Sequence, residues 1–411
     1  MDTNYINEIC SEFLPRFRAE KVDITLKELV GISKKTEARA KKKYANLKKP
    51  RSCPADIYTQ NWVRRTLEKN LATKALKPFS LDNPPSAFKA SAKYFWQLPL
   101  EIHRPLAIRL FDAKPEDREE VWKNFKLPYK EIEKRFIDMA FERTRLAQKK
   151  GYKTYVGMFL DKYKIPKTSY EKCSKSLDKL IEYCDRQLPK TGAIPAWFYS
   201  EYNLPCYICK VSNFPFKDFN GILDYVAKIY PILRKFRNKM NIRVGEASKM
   251  FYKMETDIFE ITIGRKGNAR HRIVDLIHEL SHVIDFLQDS SRGINSIDKG
   301  EYLREKEALK IEISILKKVS LQLYQSIFGE FLLSFRRFIF ETELYRDPDR
   351  DLAKLYAETF NRCFKDARQR SNHIYFLDEH ISLKPFSTLP HAVAQSEVIL
   401  SLARKDARAA S

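Results

Sequence analysis

Residues 257–263, "DIFEITI", set Phe259, Ile261 and Ile263 against Ile258, Glu260 and Thr262. That alternation predicts a strand with one apolar face and one mixed face. "GRKGN" then turns the chain, with Asn268 placed to cap the next helix. In "HRIVDLIHELSHVIDFL", residues 271–287, the period changes. Ile273, Ile277, Leu280, Ile284 and Leu287 recur at helical spacing, while His271, Asp275, His278, Ser281, His282 and Asp285 form an opposing polar stripe. A second long helix is expected from near Asp298 to about Phe328. The local order is strand, turn, helix, connection, helix.

Upstream, helical periodicity dominates from 115 to 190, where "PEDREEVWKNF" reads as a Pro-led, acid-rich helix start. Residues 189–206 carry loop and turn chemistry, and "SLDNPPSAF" at 80–88 marks a break. The expected organisation is a basic helical region over 1–80, a helical region over 81–190 and a catalytic region over 191–411 continuous with the one before it. Few glycines, 11 in 411 residues, and long stretches rich in Lys, Glu, Leu and Ala predict a mainly α protein with a small β-sheet beside the histidine-bearing helix.

Composition adds bounds. No run of eighteen apolar residues exists, so no membrane span is expected. The opening "MDTNYINEICSEFLPRF" has no basic start or apolar core, so no secretory leader is expected. Seven scattered cysteines, an odd number, point to a reducing compartment, and the cytoplasm is the expected location. The single CxxC, Cys206 and Cys209, has no second pair at metal-finger spacing and reads as small buried thiols on a strand. A net charge of +23 makes nucleic acid a possible partner. The densest run, 34–51, reads as a solvated amphipathic helix with no stacking or phosphate-loop motif beside it. Oligomeric state is not legible.

Chemistry concentrates in the polar stripe. His278 and His282 flank Glu279 as H-E-x-x-H, and residues four apart share one helix face. With seven histidines and 53 acidic residues, chance supplies no more than about 0.015 such strings. A solvated polar face is the bland alternative; zinc is the favoured reading, one ion per chain. Catalytic zinc takes three protein ligands and an open position. The histidines at 103, 373, 380 and 391 are too remote for a short third-histidine arrangement, so a carboxylate of the next helix is sought among Glu301, Glu305, Glu307 and Glu312. From Glu305 the face continues through Ala308, Leu309, Glu312, Ile313 and Leu316, which is largely apolar; from Glu307 it is mixed. Glu305 is chosen, with Glu307 as the alternative, and Glu312 as a support accepting a histidine N–H.

"HELSH" followed by "EKEALKIE" resembles the zinc oligopeptidases of the thimet oligopeptidase and oligoendopeptidase F kind. Glu305, Ala308 and Glu312 match the family's ligand glutamate, small residue and second glutamate. "RTRLAQKKGYKTYVGMFLDKYKI" at 143–165 and "DEHISLKPFSTLPHAVAQSEVI" at 378–399 are similar to its upstream helix pair and its C-terminal substrate-facing segment. The likeness spans about 130–400, and its zinc motif is the specific part.

The resemblance implies a large helical metallopeptidase fold acting on short peptides. Glu279 would take a proton from zinc-bound water, and His380 and His391 would donate to the oxyanion. A structural role is the alternative for the last two. The strand at 257–263 could pair with an extended substrate. Ser281 replaces the family's glycine, Asp285 a frequent histidine, and Ser387, Leu389 and His391 stand where tyrosines are expected. Two other functions therefore stay open: a basic binding protein with a peptidase-like fold, and a protease acting on nucleic-acid-associated proteins.

Overall fold

A computed structural model describes residues 129–189 and, apart from short interruptions, 216–410. The basic region 1–80, the charge run at 34–51, the helix start at 115–125, His103, Cys206, Cys209, Asn268 and His373 lie outside the described residues.

The chain begins with α1 (Tyr129–Lys149), α2 (Tyr155–Lys162) and α3 (Lys167–Gln187). The first of these stops where Gly151 takes a φ of 86°. There the N–H groups of Tyr152 and Gly151 donate back to Ala147 and Gln148, the paired bonds that close a helix around a left-handed residue. Thr154 then starts α2 by accepting from the Gly157 N–H at 3.1 Å.

Next come α4 (Phe219–Ile229), a 3₁₀ segment (Pro231–Lys239) and three strands, β1 (Met240–Gly245), β2 (Lys249–Lys253) and β3 (Ile258–Gly264). Phe259, Ile261 and Ile263 are all fully buried, as the alternation predicts. The sheet order is β1-β3-β2, with β1 parallel and β2 antiparallel to β3. The expectation that this strand pairs with substrate is corrected by that order. Both edges of β3 are already hydrogen-bonded to neighbours, so its backbone has no free side to offer.

The H-E-x-x-H stretch lies on α5 (Ala269–Ser291), followed by α6 (Glu301–Val319) and α7 (Leu321–Arg346). The single helix expected from about 298 to 328 is in fact two. Ser320 leaves helical geometry at φ −165°, and its hydroxyl accepts from the Leu323 N–H, capping a new helix. The chain closes with α8 (Leu352–Cys363), the short α9 (Glu379–Ser382) and α10 (Leu389–Ala410). The architecture is mainly α with one small sheet.

The five apolar positions of α5 are all buried, and so are His271, Ser281 and Asp285 of its polar stripe. The stripe therefore faces other helices rather than solvent. α5 packs on α6, α6 on α10, and α10 on α3 and α7. This enclosure puts α5, α6, α7 and α10 around one cavity.

Candidate metal centre

The α5–α6 contact brings together three groups that lie 27 residues apart at the extremes. Ligand atoms of His278, His282 and Glu305 all lie within 4.8 Å of one another. His278 Nε2 is 3.2 Å from His282 Nε2 and 3.5 Å from Glu305 Oε2, and His282 Nε2 is 3.5 Å from Glu305 Oε1. A tetrahedral zinc with N and O ligands at about 2.0–2.2 Å sets neighbouring donors about 3.3–3.6 Å apart. The trio has the chemistry and the spacing to hold that ion. Ala308 is fully buried one turn beyond Glu305, which lets α6 approach closely.

Glu307 takes no part. Its carboxylate is bonded to Lys310 at 2.7 and 2.9 Å on an exposed face. Glu312 sits where the helical spacing predicts a support: His278 Nδ1 is 3.0 Å from Glu312 Oε2. A carboxylate facing Nδ1 favours the proton on that nitrogen, so a neutral His278 ring, the form that binds a metal, turns its Nε2 lone pair toward the trio. Replacing Glu312 with Gln is expected to weaken zinc affinity by about 10–100-fold, since partners of ligating histidines carry that much. Titration against a fluorescent zinc chelator reads the change; unaltered affinity would remove Glu312 from the centre.

Charge in the centre is densely coupled. Burial disfavours the His278 imidazolium, but the Glu312, Glu305 and Glu279 carboxylates outweigh it and hold the pKa well above the ordinary histidine value. Burial likewise pushes Glu305 up, and His391 and His282 reverse the sign, holding it well below the usual carboxylate range. Glu279 is buried, and burial raises its pKa against the pull of His278 and His282.

A cavity of about 320 Å³ opens beside the trio. His278, Glu305, His380 and His391 are in its wall, whereas His282 and Glu279 are not. His391 lies closer to the trio than its distance along the chain suggests, with Nδ1 3.2 Å from Glu305 Oε2. It remains outside the group of three whose ligand atoms converge. His380 Nδ1 is 2.9 Å from Ser387 Oγ, and its backbone N–H donates to Asp378 Oδ1 at 3.0 Å. Asp378 itself is buried against Arg336 Nη2 at 2.5 Å and Arg337 Nε at 3.0 Å, tying this segment to α7.

The α7 side of the cavity, Glu330, Ser334 and Arg337, is not among the site residues expected from the sequence. A signal was present. In "GEFLLSFRRFIFE" these are polar residues inside a nearly continuous apolar run, and a buried charge in such a run asks for a reason.

Comparison with known proteins adds the fold. No protein-family model matches the sequence, and no curated protein matches it. Among solved structures, a PZ peptidase A with inhibitor 2 is similar, with a TM-score of 0.53 and 14% identity over 83% of this chain and 73% of that one. The chain thus has a peptidase-like helical fold and, within it, a trio of side chains able to hold a metal ion. Among the described residues no helix is long and apolar enough to cross a membrane.

Proposed function

We propose that this chain is a zinc-dependent metallopeptidase that hydrolyses peptide bonds in short peptides, with one zinc per chain. The observation that carries the reading is the convergence of His278, His282 and Glu305 beside a cavity in a peptidase-like fold. The finer likeness, to the thimet oligopeptidase and oligoendopeptidase F kind, rests on Glu305, Ala308 and Glu312 following the H-E-x-x-H stretch. Free cysteines Cys173, Cys184 and Cys363 fit a reducing, cytoplasmic setting.

His278, His282 and Glu305 would hold the zinc ion, which would supply Lewis acidity, activating a water at about pH 7 and polarising a peptide carbonyl. Glu279 takes the attacking water's proton and returns it to the leaving amine, and its burial suits that exchange by raising its proton affinity. Glu312 fixes the His278 ring through Nδ1. Nδ1 of His380 faces Ser387 and Nδ1 of His391 faces Glu305, and these two rings of the cavity wall would donate to the developing oxyanion.

Zinc stoichiometry measured together with cleavage of a quenched-peptide library tests this reading. One zinc per chain with hydrolysis is expected. A protein that holds zinc but cleaves nothing would favour a binding protein, with Ser387 and His391 in place of tyrosines as the reason.

A further inference from the structure

The hydrolysis proposed above leaves one wall of the cavity unused. On α7, Glu330 and Arg337 both face the cavity, seven residues apart, or roughly 10 Å along the helix axis. Asp275 of α5 joins Glu330 in the wall, and the two carboxylates act on each other: the Asp275 pKa is raised to about 6 by burial first and by Glu330 as well. A negative group is repelled from that end. Arg337 lies at the other.

The Arg337 end is built in advance. The guanidinium is nearly buried, and Asp378 accepts from its Nε at 3.0 Å, so no ligand has to order it. Thr388 and Gln395 share this cavity wall with it. Thr388 Oγ1 and Gln395 Oε1 are both buried with no hydrogen-bond partner among the described residues. Buried polar atoms in folded proteins mostly find partners; here the Thr388 hydroxyl can donate to a bound anion, while Gln395 Oε1, an amide oxygen, accepts from a bound N–H. Thr388 stands just before the first turn of α10, where its carbonyl accepts from the Ala392 N–H, three residues before His391, and His391 touches Glu305. The polar wall is therefore a few residue lengths from the metal-holding trio.

We propose that Arg337 and Thr388 form a carboxylate subsite of the peptide cleft, selecting substrates by a carboxylate near the scissile bond. The inference rests on the peptidase reading above. A planar guanidinium pairs with a carboxylate through two N–H groups, and the Thr388 hydroxyl supplies a further donor. Four carboxylates, Asp275, Glu305, Glu312 and Glu330, also line the cavity, so a singly charged anion is preferred to a dianionic phosphate. The carboxylate belongs either to the C-terminus of a short peptide or to an acidic side chain. The acidic end of the wall gives the bound peptide its direction.

Peptide affinity, read by fluorescence anisotropy on zinc-loaded full-length E279Q protein, separates the cases without turnover. Three labelled peptides of one sequence are compared: free C-terminus, amidated C-terminus, and amidated with one internal Gln changed to Glu. At least one carboxylate-bearing peptide is expected to bind about tenfold or more tightly than the plain amide, the scale of a hydrogen bond to a charged group. Which one does so identifies the carboxylate's source. Adding Arg337→Gln should bring that ratio near one, Arg337→Lys should keep part of it, and Thr388→Val should reduce it severalfold. Thr388→Val keeps the test open should loss of Arg337 unsettle Asp378. Equal affinities for all three peptides overturn the subsite alone, as does a ratio that Thr388→Val and Arg337→Gln both leave intact. A protein that binds none of them overturns the peptidase reading and the subsite together.

Discussion

Replacing Glu279 with Gln is expected to lower the proposed peptide hydrolysis by about two to four orders of magnitude, the loss that follows from removing a general base, with metal content and fold unchanged. Gln keeps the size of the side chain and one carbonyl oxygen, but it cannot carry the proton from the attacking water to the leaving amine. Glu279 is buried next to His278 and His282 and does not belong to the converging trio, so its loss leaves the donors in place. Initial rates on a quenched peptide, zinc content and circular dichroism on the same preparation check the three parts together. Hydrolysis that survives at the wild-type rate would place the activity elsewhere or make α5 a structural helix.

The proposed zinc is expected to be lost when the trio is cut. His278→Ala, His282→Ala and Glu305→Ala each leave two protein donors, too few for a centre that takes three. All three proteins are expected to emerge from dialysis with little zinc, and hydrolysis should disappear with it. Glu307→Ala should retain its zinc, because that carboxylate is bonded to Lys310 on an exposed face. The opposite pattern, metal lost with Glu307 and kept without Glu305, would overturn the assignment of the third ligand.

Much of this centre is legible in the residue pattern. The helical period places His278 and His282 on one face, and the apolar continuation of the Glu305 face separates it from Glu307. The structure agrees on both, with Ala308, Leu309, Glu312, Ile313 and Leu316 all buried. Other expectations fail for identifiable reasons. Strand β3 shows itself by its alternation, but pattern alone cannot tell an edge strand from a central one. Its partners, 240–245 and 249–253, are short, and their exposed Asn241, Arg243, Lys249, Phe251 and Lys253 alternate with residues that are only half-buried, which disguises them. The break at Ser320 is hidden because hydrophobic residues continue on both sides of it, and one capping hydroxyl decides the matter.

Sequence alone therefore determined which helix carries the histidines, which of its positions enter the apolar core, and which glutamate of the following helix the helical spacing favours as their partner. Those are consequences of a 3.6-residue period, and they hold within one or two elements. The tertiary structure decided everything that depends on distance across the chain. It set His391 of α10 against Glu305, fastened the His380 segment to α7 through Asp378, and brought Arg337, Glu330 and Asp275 into the wall of one cavity. The Arg337–Asp378 bond alone joins residues 41 positions apart, where no local period operates and packing alone chooses the neighbours.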